Sequence, residues 1–446
     1  MTPKQRKRWV LFWILSFLLI NLACHLSAGN NADSRFATLI AMVEDHSFKI
    51  DPYVDLTTDW ARTPDGHYYS NKAPGPMLIA APLFWGLEKS WLGHHENKEE
   101  RIRLLIQHKA SWLKLFSYLF QLLPFLFLTW MIANKLIQEN KSDFAIFMTL
   151  ATLLFGNTAS LFMSTYYGHA MTAVFILATL LALESSRFFC LGLFLGFTIL
   201  CDYSGALLII PLLLILKPSA KTYLKIFLGG IFPLALWSWY HSRCFGSPFA
   251  IANQFQNPLY QDVKSEAHNL WGILLPVPQL STLYQLFFGT SRGILWVAPW
   301  ILVILGWVGV KTAQGKTSEV PAPLKFATWG FGLLLWVNSC FGGWHGGLTP
   351  GPRYLSPTFP ALALGLGLVI DSLKPPTQKI LFLSVIFSLV FTALVYSTHI
   401  SPPETPLWPL YLKLNFMTPS ISTISRLFLI VPLLTTLVIK TLKWPR

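Results

Sequence analysis

The sequence predicts an all-α, polytopic membrane protein with about 12 transmembrane helices and a long first extracytoplasmic loop that contains an interfacial helix. Three observations predict it. Of 446 residues, 53% are hydrophobic and only 12% charged, against roughly 25% charged in an ordinary soluble domain. The apolar residues gather in runs of the length a bilayer demands, about 20 residues per helix. Lys and Arg concentrate in the short polar segments between alternate runs, as they do in cytoplasmic loops. That bias accounts for most of the net charge of +14, which on a soluble chain would point to nucleic acid. No nucleic-acid partner is expected here.

The chain opens with "KQRKR" and an apolar run from Trp9 to about Leu26. The run is long for a secretory signal, so it reads as an uncleaved first span with its basic head inside. A polar region, 27–111, follows as the first extracytoplasmic loop, interrupted by the apolar segment 74–92. If 74–92 does not cross, the spans fall at about 9–27, 112–133, 144–160, 169–184, 188–200, 203–216, 222–240, 293–310, 325–341, 354–371, 379–397 and 424–440. Both termini are then cytoplasmic, and Lys135, Lys141, Arg187, Lys221, Lys311 and Lys374 face inward. If it crossed, every later loop would flip and carry that charge outward, against the positive-inside rule. Segment 74–92 therefore reads as a helix in the outer interface.

The runs 188–200 and 203–216 meet at "CDYSGA" and read as a short hairpin with Asp202 at its tip. A single kinked span is the alternative, but it would leave "ESSR" or "KPSAK" outside. A second large outer loop spans 241–292, with smaller ones at 342–353 and 398–423. Fourteen of the twenty acidic residues fall in these outer segments, so chemistry is expected outside. No internal repeat is evident, and residues 1–446 read as one integral membrane domain. The five cysteines show no metal-ligand spacing and read as small core residues, with a Cys244–Cys340 disulfide as the alternative.

Several outer residues are suited to chemistry. "NNADSRFATLIAMV" puts Asp33 and Arg35 just after the first span. A carboxylate there suits a general base or a metal ligand, while on spacing alone Asp33 or Ser34 reads as a helix cap. "DGHYYSNKAPGPM" puts Lys72 ahead of a Pro74–Gly75–Pro76 break. A lysine beside unpaired N–H groups at a helix entrance suits a phosphate, and a snorkelling lysine is the plainer reading. His67, Tyr68 and Tyr69 read by default as an aromatic belt. "STYYGHAM" puts His169 at the outer end of a span, as a metal ligand, a proton carrier or a satisfied polar group. Asp202 is costly to bury, which favours a paired or functional role. "FFGTSRGILWVAPW" and "CFGGWHGGLTPGPRYLSP" place Arg292, His345 and Arg353 among glycines and aromatics, as an anion or sugar cradle. Snorkelling at a helix start is the plainer reading of both arginines.

A basic N-terminus, one span, a long outer loop opening with an acid and an arginine, and "YYSNKAPG" before an interfacial helix resemble the C-type glycosyltransferase superfamily (GT-C). The likeness is strongest to the bacterial aminoarabinose transferases, protein O-mannosyltransferases and sugar transferases of rhizobial lipopolysaccharide cores. The resemblance implies that Asp33 is the catalytic acidic residue, Arg35 its companion, and Lys72 the lysine that holds the donor phosphate. It places His169 where relatives carry a second acid and Asp202 where several carry a lysine. The chain departs from the pattern at Ser34 and Asn71, each standing where the family has an acid. The cofactor is left open, with a divalent metal as the candidate.

The expected function is transfer of a sugar from a polyprenyl-phosphate donor to a cell-envelope glycan, lipid or protein on the outer face of a bacterial inner membrane. Asp33 and His169 are the expected catalytic residues. Arg35, Lys72, Tyr69, Asp202, Arg292, His345 and Arg353 are expected to bind substrate. The alternatives are a twelve-span secondary transporter, which would show two similar halves and midplane polar residues, an outer-face polysaccharide ligase or polymerase built on 241–292, and a catalytically dead relative.

Overall fold

The computed structural model describes residues 1–23, 29–93, 95–216, 219–260, 274–398 and 406–417. The described residues are mostly helical, with one two-stranded antiparallel ribbon, Trp60–Arg62 paired to Tyr68–Ser70. Helices Lys109–Gln138 and Pro375–Tyr396 are long and apolar enough to cross a membrane, and shorter apolar helices include Asp143–Leu154, Gly168–Glu184, Phe188–Cys201 and Trp300–Ala313. The expected span at about 424–440, part of the loop 241–292 and Cys24 lie outside the described residues.

Local chemistry sets most boundaries. The Ser142 hydroxyl accepts from the Ala145 N–H to cap helix 143–154, and Asn97 accepts from the N–H groups of Glu99 and Glu100 to cap helix 98–107. Such caps contribute about 1 kcal/mol each. The structure corrects the cap expected at Asp33 or Ser34. Helix Gly29–Glu44 begins well before both, so neither occupies the cap position.

The segment between the spans at 188 and 216 is a hairpin. Asp202 ends helix 188–201 and caps the 3-10 turn Tyr203–Leu208 by accepting from the Ser204 N–H at 3.0 Å. Gly192, Gly196 and Ile199 of one arm line the same apolar cavity as Ile209, Leu212 and Leu216 of the other. A continuous helix would hold Gly192 and Leu216 about 36 Å apart. Cys244 and Cys340 are both free thiols, so the disulfide is not formed.

Apolar burial divides the molecule in two. A smaller core gathers residues of 32–116, among them Phe36, Met77, Phe84 and Trp112, with Tyr240 and Phe245 from the long helix Ala220–Phe245. We call this region the lobe. A larger core joins the first helix, Pro3–Ala23, to helices from 123 to 411, and we call it the bundle. The bundle leaves Phe12, Leu19, Phe127, Leu214 and Phe227 exposed. Apolar surface on that scale needs a partner other than water. On the lobe, helix Gly75–Leu92 exposes Trp85, Leu87 and Trp91.

Candidate active site

The lobe and bundle meet at two glycines. A Cβ on Gly75 would fall 2.6 Å from the Cys201 Sγ, and one on Gly168 would fall 2.7 Å from Arg35 Nη2 and 2.8 Å from the Cys201 carbonyl. Only hydrogen fits at either, which lets the helix that begins at Gly75 and the guanidinium of Arg35 lie against the tip of the 188–216 hairpin. The Tyr166 hydroxyl fastens the same contact by donating to the Pro76 carbonyl.

On the lobe side, Arg35 is buried, and its Nη1 donates to the carbonyl and side-chain oxygens of Asn31. Its Nε is buried and has no hydrogen-bond partner among the described residues. Asp33 lies two residues earlier on the same helix, with Lys109 Nζ 2.8 Å from its carboxylate. Burial raises the Asp33 carboxyl above the usual carboxylate range, and the ion pair with Lys109 pulls it back. Ser34, between them, donates to the Asp59 carbonyl or shares its hydrogen with the Ser70 hydroxyl, both at 2.6 Å. This ties the helix to the ribbon at the position where the family pattern has an acid. Lys72 leaves the ribbon with its Nζ 3.1 Å from Asp59 Oδ2. Burial pushes Lys72 down to about 8, opposed by Asp59 and reinforced by Arg353 and Arg35.

On the bundle side, His169 Nδ1 and Asp202 Oδ2 are 2.6 Å apart. The same Asp202 carboxylate accepts from the Ser204 hydroxyl at 2.7 Å, so the hairpin tip holds the imidazole. Arg353 lies over the rings of Tyr167 and Tyr354, 5.7 and 5.1 Å from their centroids. Its Nε is also buried without a hydrogen-bond partner among the described residues. Arg35 and Arg353 both act electrostatically on His169, and both act on Lys72. The structure therefore brings Arg35, Lys72, His169, Asp202 and Arg353 together, with Asp33 reaching the group through Asp59.

Three expected residues sit elsewhere. Tyr69 is buried in the lobe, its ring 5.7 Å from Phe245. Arg292 donates from Nε, Nη1 and Nη2 to the carbonyls of His345, Ser291 and Gly347 at 2.9, 2.8 and 2.7 Å. His345 Nδ1 accepts from the Gly347 N–H. Asp59 and Lys109 were not expected. Asp59 meets Lys72 through the pairing of Trp60 with Ser70, for which the turn signal Pro64–Asp65–Gly66 is the cue in the sequence. Lys109 carries a signal in hindsight, because it is a cation at the expected outer end of a span.

Two carboxylates and an imidazole would be the natural donors for a divalent cation. Among the described residues no three acidic, histidine or thiol groups converge. Asp33 already faces an ammonium and Asp202 an imidazole. This donor set does not fit a metal, and no step below runs through one. Cations with buried, unpartnered N–H groups suit an anion instead.

The sequence matches no family model and no curated protein. Among solved structures, the fold is similar to ArnT from Cupriavidus metallidurans bound to undecaprenyl phosphate, with a TM-score of 0.50 and 12% identity over 96% of this chain and 71% of that one. The apo state of the same ArnT gives 0.47 and 12% over the same shares. The apo Archaeoglobus fulgidus oligosaccharyltransferase gives 0.49 and 11%, over 94% of this chain and 60% of that one. The likeness to the first, at 12% identity, is one of fold: the protein has a fold similar to that of this ArnT.

Proposed function

We propose that the protein is a membrane glycosyltransferase that moves a sugar from a polyprenyl-phosphate donor to a cell-envelope acceptor, by inverting attack, on the extracytoplasmic face. The observation that carries this reading is the meeting of Arg35, Lys72 and Arg353 from both regions around buried, unpartnered guanidinium nitrogens. The undecaprenyl phosphate bound to the ArnT of similar fold supports a lipid phosphate as the anion. The exposed Trp85, Leu87 and Trp91 support an interfacial setting for helix 75–92, with the phosphate site at its entrance.

In this reading the donor phosphate sits among the three cations. The acceptor hydroxyl attacks the anomeric carbon from the face opposite the phosphate, so the new C–O bond forms as the old one to the phosphate oxygen breaks. The hydroxyl proton passes to a carboxylate or imidazole, and polyprenyl phosphate leaves with one more negative charge. Arg35, Lys72 and Arg353 stabilise that charge as it develops. Asp33 is the base: burial raises its carboxyl, which favours taking the proton, and Lys109 at 2.8 Å opposes that rise. The His169–Asp202 pair supports a second assignment of the base, because Asp202 at Nδ1 orients the imidazole and Nε2 takes the proton.

The test compares envelope glycolipids by mass spectrometry in a deletion strain carrying wild type, Asp33→Asn or His169→Gln at equal membrane levels. A single sugar-mass difference restored by wild type and not by Asp33→Asn is expected. Restoration by Asp33→Asn with loss in His169→Gln moves the base to the histidine. Restoration by both, or no sugar-mass difference at all, overturns the assignment.

A further inference from the structure

We propose that Arg292 is a positioning residue for Arg353, fixing the glycine-rich loop that holds the Arg353 guanidinium at the phosphate. The proposal rests on the reading that Arg353 meets the donor phosphate.

Arg292 is 1% exposed, and its hydrogen bonds to His345 and Gly347 bracket one residue, Gly346. Gly346 has φ +72°, and a Cβ there would sit 3.2 Å from Arg353 Cβ and 3.4 Å from Arg353 Nε. The residue clamped between the two carbonyls is thus the one against which the Arg353 stem rests. From the other sides Arg353 lies over the rings of Tyr167 and Tyr354 and donates from Nη2 to the Tyr354 hydroxyl at 3.2 Å. Ring faces let a guanidinium slide in plane, so the loop sets how far it reaches. Arg292 suits the task because a planar guanidinium donates along several fixed directions, whereas a lysine supplies one mobile ammonium. Arg292 was expected to bind substrate, but each of these donors is spent on main chain.

The experiment is a double-mutant cycle on the full chain in nanodiscs, with undecaprenyl phosphate as the probe. Affinity is measured for wild type, Arg292→Gln, Gly346→Ala, Arg353→Gln and the two doubles with Arg353→Gln, with a thermal midpoint for each. Arg292→Gln and Gly346→Ala are each expected to weaken binding by about tenfold, the effect of one misplaced charge-assisted hydrogen bond. In the Arg353→Gln background each should change it by less than about twofold. Gly346→Ala leaves the Arg292 side chain intact, so it decides the matter if Arg292→Gln does not fold. Equal losses in both backgrounds overturn the proposal and leave Arg292 acting on the lipid or on the whole fold. Wild-type affinity for Gly346→Ala and Arg292→Gln also overturns it. Wild-type affinity for Arg353→Gln alone refutes the phosphate reading of Arg353 and removes the basis of the proposal with it.

Discussion

The lysines of the lobe and the arginine of the bundle reach the seam in different electrostatic states. Lys72 and Lys109 arrive from the lobe side already paired with Asp59 and Asp33. Arg353 arrives from the bundle held by two aromatic rings, with no carboxylate within 4.0 Å among the described residues. Neutralising a cation in advance makes it cheaper to bury and weaker toward an incoming anion. A cation held by ring faces is oriented without being neutralised. The paired lysines of the lobe are thus suited to positioning and proton transfer, and the two arginines, Arg35 on neutral Asn31 and Arg353 on its rings, keep more of their charge for an incoming anion.

The largest effect should separate chemistry from binding. Asp33→Asn is expected to lower kcat by about 10²–10⁴-fold, the usual contribution of a general base, while undecaprenyl phosphate affinity changes by less than about threefold. A comparable loss of affinity would make Asp33 part of the phosphate site and blur the division.

Next, Arg353→Gln should weaken undecaprenyl phosphate binding by about 30-fold and Lys72→Met by about fivefold, both within the span of single charge-assisted contacts. Equal losses measured by titration in nanodiscs would break the comparison.

The third prediction concerns pH. Lys72 is held down to about 8, and only its ammonium form attracts phosphate. Affinity should therefore fall as pH rises through 8 and level off at about the fivefold loss expected of Lys72→Met, and Lys72→Met should flatten the profile between pH 7 and 9.5. Asp59 raises Lys72, so Asp59→Asn should move the midpoint to lower pH.

The smallest effect belongs to the lobe periphery. The half-exposed His67–Asp51 pair, 3.2 Å apart, is expected to contribute less than about 1 kcal/mol. His67→Gln should leave donor binding and turnover within about twofold of wild type.

The helices were legible because membrane spans write themselves as apolar runs. The run at 188–216 gave its reversal away through its flanks, because a single span would have left "ESSR" or "KPSAK" outside. Asp33, Arg35 and Lys72 were legible because they fall at fixed distances from the first span and from the Pro74–Gly75–Pro76 break. The partners were not. Asp59 finds Lys72 through a ribbon of three-residue strands, too short to show a period of two. Arg292 looked like a ligand-binding residue because arginine among glycines reads the same whether main-chain carbonyls or a phosphate take its hydrogen bonds. Only the folded positions of those carbonyls tell the cases apart.

The contact between Gly168 and Arg35 has a consequence for the order in which the protein is made. Arg35 and Lys72 are synthesised early, His169 and Asp202 later, and Arg353 about 280 residues after Lys72. At roughly 5–20 residues per second, the lobe waits tens of seconds for the arginine that completes its phosphate site. Through that interval the nascent lobe carries Lys72 balanced by Asp59 and Arg35 tethered to Asn31. A lipid phosphate meeting the half-made protein finds two cations already engaged. If Arg35, Lys72 and Arg353 hold the donor phosphate as proposed, full affinity for it appears only after Arg353 has been made and packed.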